Sequence, residues 1–251
     1  MSNPTIQRAA ELLLSARENA RPLEALPSDA FPADARESYL IQDLTTARLG
    51  PIGGWKTAPA KDGVKFNWAP IPTSGVFANG ATLSLSKLPP CELELEVGFV
   101  LGRDLPPRDG SYTREDVVEA LFEMVVCLEL FSSRYRVRTE RSALEVLADA
   151  QNAYGAVVGT GLGGWFDVDL AAAELDFDYA GQIRRQRGGR LTEDLLEAIV
   201  DLANATGHLG GLRKGQVILT GARIGPIPAK SAGTALGRIA PIGTVSVELT
   251  N

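Results

Sequence analysis

Between Cys91 and Leu101 the chain reads Cys-Glu-Leu-Glu-Leu-Glu-Val-Gly-Phe-Val-Leu, and this alternation constrains the fold more than any other stretch. Successive side chains of a strand point to opposite faces, so Glu92, Glu94 and Glu96 share one face and Leu93, Leu95 and Val97 the other. Like charges two residues apart repel, and glutamate is a poor strand former. Two readings follow. The glutamates line a solvated face, as is ordinary on an antiparallel sheet, or a divalent cation turns their repulsion into attraction. Hard cations such as Mg²⁺ take about six oxygen ligands at roughly 2.1 Å, and glutamates at i and i+2 can meet one from a single side.

Glu129 is the only charge in the run Met124 to Ser133, whose β-branched and apolar content predicts a buried strand. An isolated buried carboxylate is too costly, so this one must be paired, protonated or metal-bound. Arg134 and Arg136 are the nearby pairing candidates. A strand pair of glutamates plus a third buried one has the composition of an open, oxygen-only metal site. Lys56 follows a glycine turn and an aromatic residue in Gly53-Gly54-Trp55-Lys56. An ammonium there can approach an anionic intermediate, or it can lie on the surface with its stem along apolar neighbours.

Composition removes other chemistries. Among 251 residues, 25 Lys and Arg against 31 Asp and Glu leave a net charge of −6, which disfavours nucleic-acid binding. Arg184, Arg185, Arg187 and Arg190 therefore read as a solvated cluster. His208 is the only histidine, which excludes His-rich zinc sites, and its place after a predicted helix end reads as a surface loop. Cys91 and Cys127 form no CxxC and no disulfide framework, which fits a reducing compartment. No basic leader opens the sequence and no apolar run reaches the roughly 18 residues of a membrane span. The expectation is a cytoplasmic protein that binds neither membrane nor nucleic acid.

Along the chain, Asn3 and Pro4 predict a helix start, with Ile6, Ala10, Leu13 and Leu14 at helical spacing before Pro22. A second helix is expected over Ala33 to Arg48, burying Leu40, Ile41, Leu44 and Ala47. Thr113 and Asp116 resemble a capping box. Leu175, Phe177 and Tyr179 alternate with Asp176 and Asp178, and Gly188-Gly189 predicts the turn of a hairpin. Thr192 is expected to cap a helix that Gly207 ends, and Val217 to Thr220 and Val245 to Leu249 close the chain as strands. The pattern predicts an α+β protein: a helical segment over 1–52 packed on a strand-rich domain over 53–251.

At these residues the chain resembles the fumarylacetoacetate hydrolase superfamily, and within it the 2-keto-4-pentenoate hydratase / 4-oxalocrotonate decarboxylase branch. Glu94 to Leu105 is similar to its Glu-x-Glu strand and turn, Leu128 to Tyr135 to its third-ligand segment, Gly54-Trp55-Lys56 to its active-site lysine segment, and Gly215 to Gly221 with Gly225-Pro226 to its C-terminal strand. The resemblance implies a mixed β-roll of the C-terminal-domain type of that superfamily and a homo-oligomer. It also implies Mg²⁺ or Mn²⁺ on Glu94, Glu96 and Glu129, with a 2-oxo or 2-hydroxydienoic acid as substrate. Lys56 would act beside that substrate, with Asn152 and Thr220 as contacts.

Three positions depart from the branch. Ser132 stands where it usually has Asp, Gln151-Asn152-Ala153 replaces Asp-Asn-Ala, and Pro72-Thr73-Ser74-Gly75 replaces Pro-Asp-x-Gly. The function implied first is metal-dependent hydration of 2-hydroxypenta-2,4-dienoate or a relative to a 4-hydroxy-2-oxo acid, in the breakdown of aromatic compounds. Decarboxylation of 4-oxalocrotonate needs the same stabilised dienolate and stands second. Acylpyruvate hydrolysis, which asks for a His-Glu pair, stands third, and a non-catalytic assembly partner fourth.

Overall fold

Asn3 accepts a hydrogen bond from the Thr5 N–H at 3.0 Å and Pro4 takes the first helical position, so α1 (Pro4–Glu18) begins where the sequence predicts. The computed structural model describes residues 3–58, 67–88 and 90–251; Met1 and Ser2, where no basic leader is expected, and Pro89 lie outside the described residues.

Helix α2 (Ala35–Leu49) forms near its predicted bounds, capped by Asp34, but buries a different face. Leu40, Leu44 and Ala47 are exposed, while Ser38, Ile41, Gln42, Thr45 and Thr46 are buried. The reason is the partner. A short helix later in the chain (Ala143–Ala148) turns backbone carbonyls toward it, and α2 supplies donors to them: Ser38 Oγ to Leu144 O at 3.0 Å, and Gln42 Nε2 to Leu147 O. Ile41, fully buried, joins Ile6, Ala10, Leu13, Tyr135 and Ala148 in one apolar cluster. Ile41→Ala is expected to cost about 2–5 kcal/mol in urea unfolding and Leu40→Ala less than about 0.5 kcal/mol. Equal costs would return α2 to the face predicted from sequence.

The remaining chain is dominated by strands: β1 (Ile52–Ala58), β2 (Asn67–Pro72), β3 (Val76–Ala78), β4 (Ala81–Ser84) and β5 (Cys91–Leu101) precede α3 (Arg114–Ala120) and β6 (Leu121–Ser132). Then come α4 (Ala143–Ala148), β7 (Ala153–Leu162), β8 (Glu174–Tyr179), β9 (Gln182–Arg187), α5 (Thr192–Ala205), β10 (Val217–Pro228), β11 (Gly233–Ala240) and β12 (Gly243–Thr250). A seven-stranded mixed sheet runs β2-β1-β10-β5-β6-β7-β3, and a five-stranded sheet runs β4-β12-β11-β8-β9. Leu93, Leu95, Val97 and Phe99 of β5 meet Phe177, Ala235, Val245 and Val247 of the second sheet in the main core, with Ile199 and Leu202 of α5. Gly237 makes that contact close, because a Cβ there would lie 2.4 Å from a Leu95 methyl. Mixed helix and sheet, with both sheets curled, is the architecture the sequence predicts at that level. Among the described residues no helix is long and apolar enough to cross a membrane.

Three local expectations change. The β8–β9 hairpin turns at Ala180-Gly181, with φ of +50° and +75°, the geometry two-residue hairpins favour. Gly188-Gly189 instead leads from β9 to α5. That helix is capped at Leu191, whose N–H donates to Asp194 Oδ2 at 3.3 Å, so Thr192 is its first residue. At the other end Thr206 closes it, donating both its N–H and its hydroxyl to Leu202 O, and Gly207 follows. The capping box of Thr113 and Asp116 is present.

Candidate active site

Antiparallel pairing of β5 with β6 sets Glu94 directly opposite Glu129. Glu96 follows on the same face of β5, and one carboxylate oxygen from each of the three lies within 4.8 Å of the others. Glu94 is buried and Glu96 and Glu129 are fully so, which removes the solvated-face reading for Glu94 and Glu96. Glu92 departs from the group: its Oε2 accepts from Arg138 Nε at 2.6 Å.

Lys56 arrives from β1, which lies beside β10. Its Nζ donates to Glu129 Oε1 at 2.8 Å and to Gln151 O at 3.3 Å, and stands 4.5 Å from the Phe131 ring centre. The buried Glu129 is thus paired by Lys56. Arg134 pairs with Asp149 and Arg136 with Glu24, so neither arginine candidate reaches it.

The charges of this cluster do not balance. Burial raises the Glu94 carboxyl to about 7, with Glu129 adding to the shift. Glu96 is raised well above the ordinary carboxylate range by burial and then by Glu129 and Glu94, against a lowering contribution from the Gly221 N–H at 2.8 Å. Burial disfavours the Lys56 ammonium, but the three carboxylates outweigh it and its pKa is raised. Three acids and one base leave a surplus of negative charge in a dry site, the arrangement a divalent cation resolves. The donor atoms fit one. Glu96 Oε1 and Glu129 Oε2 are buried and have no hydrogen-bond partner among the described residues. Octahedral ligands at about 2.1 Å stand about 3–4.2 Å apart, inside the observed spread.

Beside Lys56 the backbone is strained. Ala150, Gln151 and Asn152 carry φ of +47°, +52° and +62°, a left-handed run that costs non-glycine residues about 1–2 kcal/mol each. The buried Arg134–Asp149 pair holds it: Arg134 also donates to Ser132 O at 2.6 Å, to Ala153 O at 3.0 Å and to Asp149 O. The result aims Gln151 O at Lys56, and leaves Gln151 Nε2 and Asn152 Oδ1 buried without partners among the described residues. Thr220 is fully buried, its Oγ1 donating to Val97 O at 2.7 Å.

No protein-family model matches the chain. A 2-keto-4-pentenoate hydratase from Paraburkholderia phymatum is 30% identical over 246 residues, covering 92% of this chain and 91% of that protein. The chain belongs to the 2-keto-4-pentenoate hydratase family. Another member, from Paraburkholderia xenovorans, is 27% identical over 265 residues, 96% of this chain and 94% of that one. The 4-oxalocrotonate decarboxylase from Pseudomonas putida G7, solved with magnesium and adipate, superimposes with a TM-score of 0.83 at 19% identity, covering 99% of this chain and 98% of that chain. This likeness extends the shared fold over 99% of the hydratase-family chain.

Several parts of this hydratase-family site had no sequence signal. The Gly221 N–H on Glu96 and the Gln151 carbonyl on Lys56 are backbone groups, which no residue type announces. Phe131 lies between two cations, Lys56 and Arg138, the latter 4.7 Å from the ring centre. The departures from the branch are occupied otherwise: Ser132 Oγ donates to Leu88 O at 3.1 Å and Thr73 Oγ1 to Pro51 O at 3.0 Å. His208 is half-exposed and pairs with Asp43 at 3.3 Å, away from any contact with the triad.

Proposed function

We propose that the protein is a magnesium-dependent hydro-lyase that adds water to 2-hydroxypenta-2,4-dienoate, or a related dienoate, to give a 4-hydroxy-2-oxo acid. The observation that carries this reading is the buried cluster of Glu94, Glu96, Glu129 and Lys56 in a chain whose hydratase relatives align over more than nine-tenths of its length. In this proposal Glu94, Glu96 and Glu129 hold Mg²⁺, or Mn²⁺, which when bound supplies Lewis-acid stabilisation for negative charge on the oxygen at C2.

The protein's own groups do the rest. Lys56 Nζ carries a proton within a dry cluster and is placed to deliver or retrieve it as the dienol becomes a 2-oxo acid; such general acid–base help is worth about 10²–10⁴-fold. Its hydrogen bond to Gln151 O fixes its direction. Asn152 Oδ1, buried and unpartnered, is available to a substrate hydroxyl or to the added water. Thr220 holds β10 against β5 through Val97 O, which keeps the Gly221 N–H on Glu96. The superfamily's C-terminal-domain type of β-roll, the division at residue 52, and a cytoplasmic homo-oligomer belong to the same proposal. The buried, unpaired thiols of Cys91 and Cys127 support a reducing compartment.

The direct test is ultraviolet loss of the dienoate with purified protein and Mg²⁺, the product identified by mass. Turnover that chelator abolishes and Mg²⁺ restores supports the reading; intact Mg²⁺ uptake without turnover assigns the fold to a binding role. Lys56→Gln separates the two parts of the site. Its turnover is expected to fall about 100-fold or more while Mg²⁺ binds more tightly in calorimetry, because a competing positive charge has left. Unchanged turnover removes Lys56 from the mechanism.

A further inference from the structure

Arg223 is left unexplained by the cluster just described. It is 7% exposed, yet its Nε and Nη2 have no hydrogen-bond partner and it forms no ion pair among the described residues. A buried guanidinium without an acceptor is costly. Burial and then Arg190 lower its pKa, against Glu96 and Asp194, only to about 10, so it stays charged at neutral pH.

Specific geometry holds this cation in place. The register between β10 and β5 shifts on both sides of Ala222, and such bulges re-aim side chains. Gly189, at φ +144°, lies against the guanidinium with room for no Cβ: one would stand 2.2 Å from Nη1. Next to it, Arg190 donates to Thr220 O at 3.2 Å, so of the two neighbouring arginines Arg223 is the one with unused donors. Arg223 lines a cavity of about 300 Å³, to which β9 contributes Gln182, Arg184, Arg185 and Gln186, and β10 contributes Pro226. A water takes roughly 30 Å³ of the liquid, so a phosphate group fits this space. No acidic residue lines it. Arg184 forms no ion pair among the described residues, and Arg185 shares Asp176 with Arg238, so one carboxylate answers two guanidiniums. In a chain of net charge −6, this surplus of arginine charge is a local arrangement and not a product of composition.

We propose that the cavity between β9 and β10 is a binding site for a doubly charged oxyanion, the phosphate group of a free metabolite, with Arg223 as its anchor and Arg184 as its second cation. Charge decides the class. A carboxylate would leave one of the two unpaired guanidiniums unmatched, whereas a phosphate group carries about −1.5 to −2 at pH 7 and offers acceptors to both. A guanidinium fork meets such oxygens two at a time. The inference goes beyond the proposed hydration and does not depend on it, since none of Glu94, Glu96, Glu129 and Lys56 lines the cavity.

Calorimetry with inorganic phosphate tests this, on protein freed of metal over a chelating resin and with acetate as the singly charged comparison. At low ionic strength wild type is expected to bind one phosphate per chain, about tenfold or more tightly than acetate, the range for hydrogen bonds to a charged group. Arg223→Met should weaken phosphate by about tenfold or more, and Arg223→Lys, which keeps the charge but loses the fork, by less. Lys56→Gln should leave phosphate affinity unchanged. Absence of saturable uptake, equal affinity for acetate, or a phosphate affinity that survives Arg223→Met overturns the inference. Loss of uptake in Lys56→Gln also overturns it, because the anion would then sit among the buried acids. Sedimentation covers the other source of an oxyanion, a carboxylate from a second copy of the chain: self-association that Arg223→Met abolishes would fill the cavity from the neighbour and overturns the free anion. Should Arg223→Met fail to fold, Arg184→Gln at an exposed position decides, with an expected weakening of phosphate of about fivefold or more.

Discussion

Glu96→Gln is expected to produce a protein that melts no lower than wild type without metal, gains no stability from Mg²⁺, and loses turnover by about 1,000-fold. The three effects have one origin. Without a cation, Glu96 is a buried acid facing two others, and its raised pKa records that its ionised form is disfavoured in the fold. Glutamine keeps the shape and the acceptor for the Gly221 N–H while removing that charge. In wild type, Mg²⁺ at about 100 times its dissociation constant should add about 2.7 kcal/mol. For a chain of this size that is roughly 5–10 °C in melting temperature. Scanning calorimetry with and without Mg²⁺ reads both quantities. A marked fall in the melting temperature of the metal-free variant, or an undiminished Mg²⁺ shift, contradicts the assignment of Glu96 as a ligand.

The second large effect is structural. Arg134→Met should cost about 3–5 kcal/mol, because it strands the fully buried Asp149 carboxylate. Roughly 6–20 °C of melting temperature goes with it. The loss also frees Ser132 O and Ala153 O, and it releases the left-handed run at Ala150, Gln151 and Asn152. Once that turn relaxes, Gln151 O no longer directs Lys56. Turnover measured well below the melting point should therefore fall, although Arg134 touches no ligand of the site. The paired substitution of Arg134→Met with Asp149→Leu should recover much of the stability but little of the activity, since the apolar pair cannot bond the three carbonyls. Full activity in either variant would show that the turn holds its shape unaided.

Where one side chain's chemistry decided the outcome, the sequence was readable. Asn3-Pro4 and Thr113-x-x-Asp116 made the helix starts they advertise. The alternation across Glu94 and Glu96, and the lone charge of Glu129, marked the three acids that β5–β6 pairing brings together. Where a partner decided, it was not. The apolar stripe of α2 gave the wrong face because the neighbouring helix turns carbonyls toward it that take hydrogen-bond donors. Gly188-Gly189 looked like a hairpin turn, yet Ala180-Gly181 supplied it and Gly189 serves the close approach of Arg223. The partner of Glu129 was sought among arginines five and seven residues away, whereas the sheet brought Lys56 from 73 positions up the chain.

The parallel pairing of β1 with β10 has a consequence for biosynthesis. Lys56 emerges from the ribosome early, but the strand beside it and the amide that grips Glu96 belong to residues 217–221. No shorter nascent chain can assemble the reactive centre, so Glu94 and Glu96 wait in an unfinished sheet edge until β10 is made, without the enclosure that perturbs them. Parallel strands so distant in sequence close slowly, and that edge stays open to non-native pairing until they do. Chemistry in this protein is thereby made to wait for the completed fold.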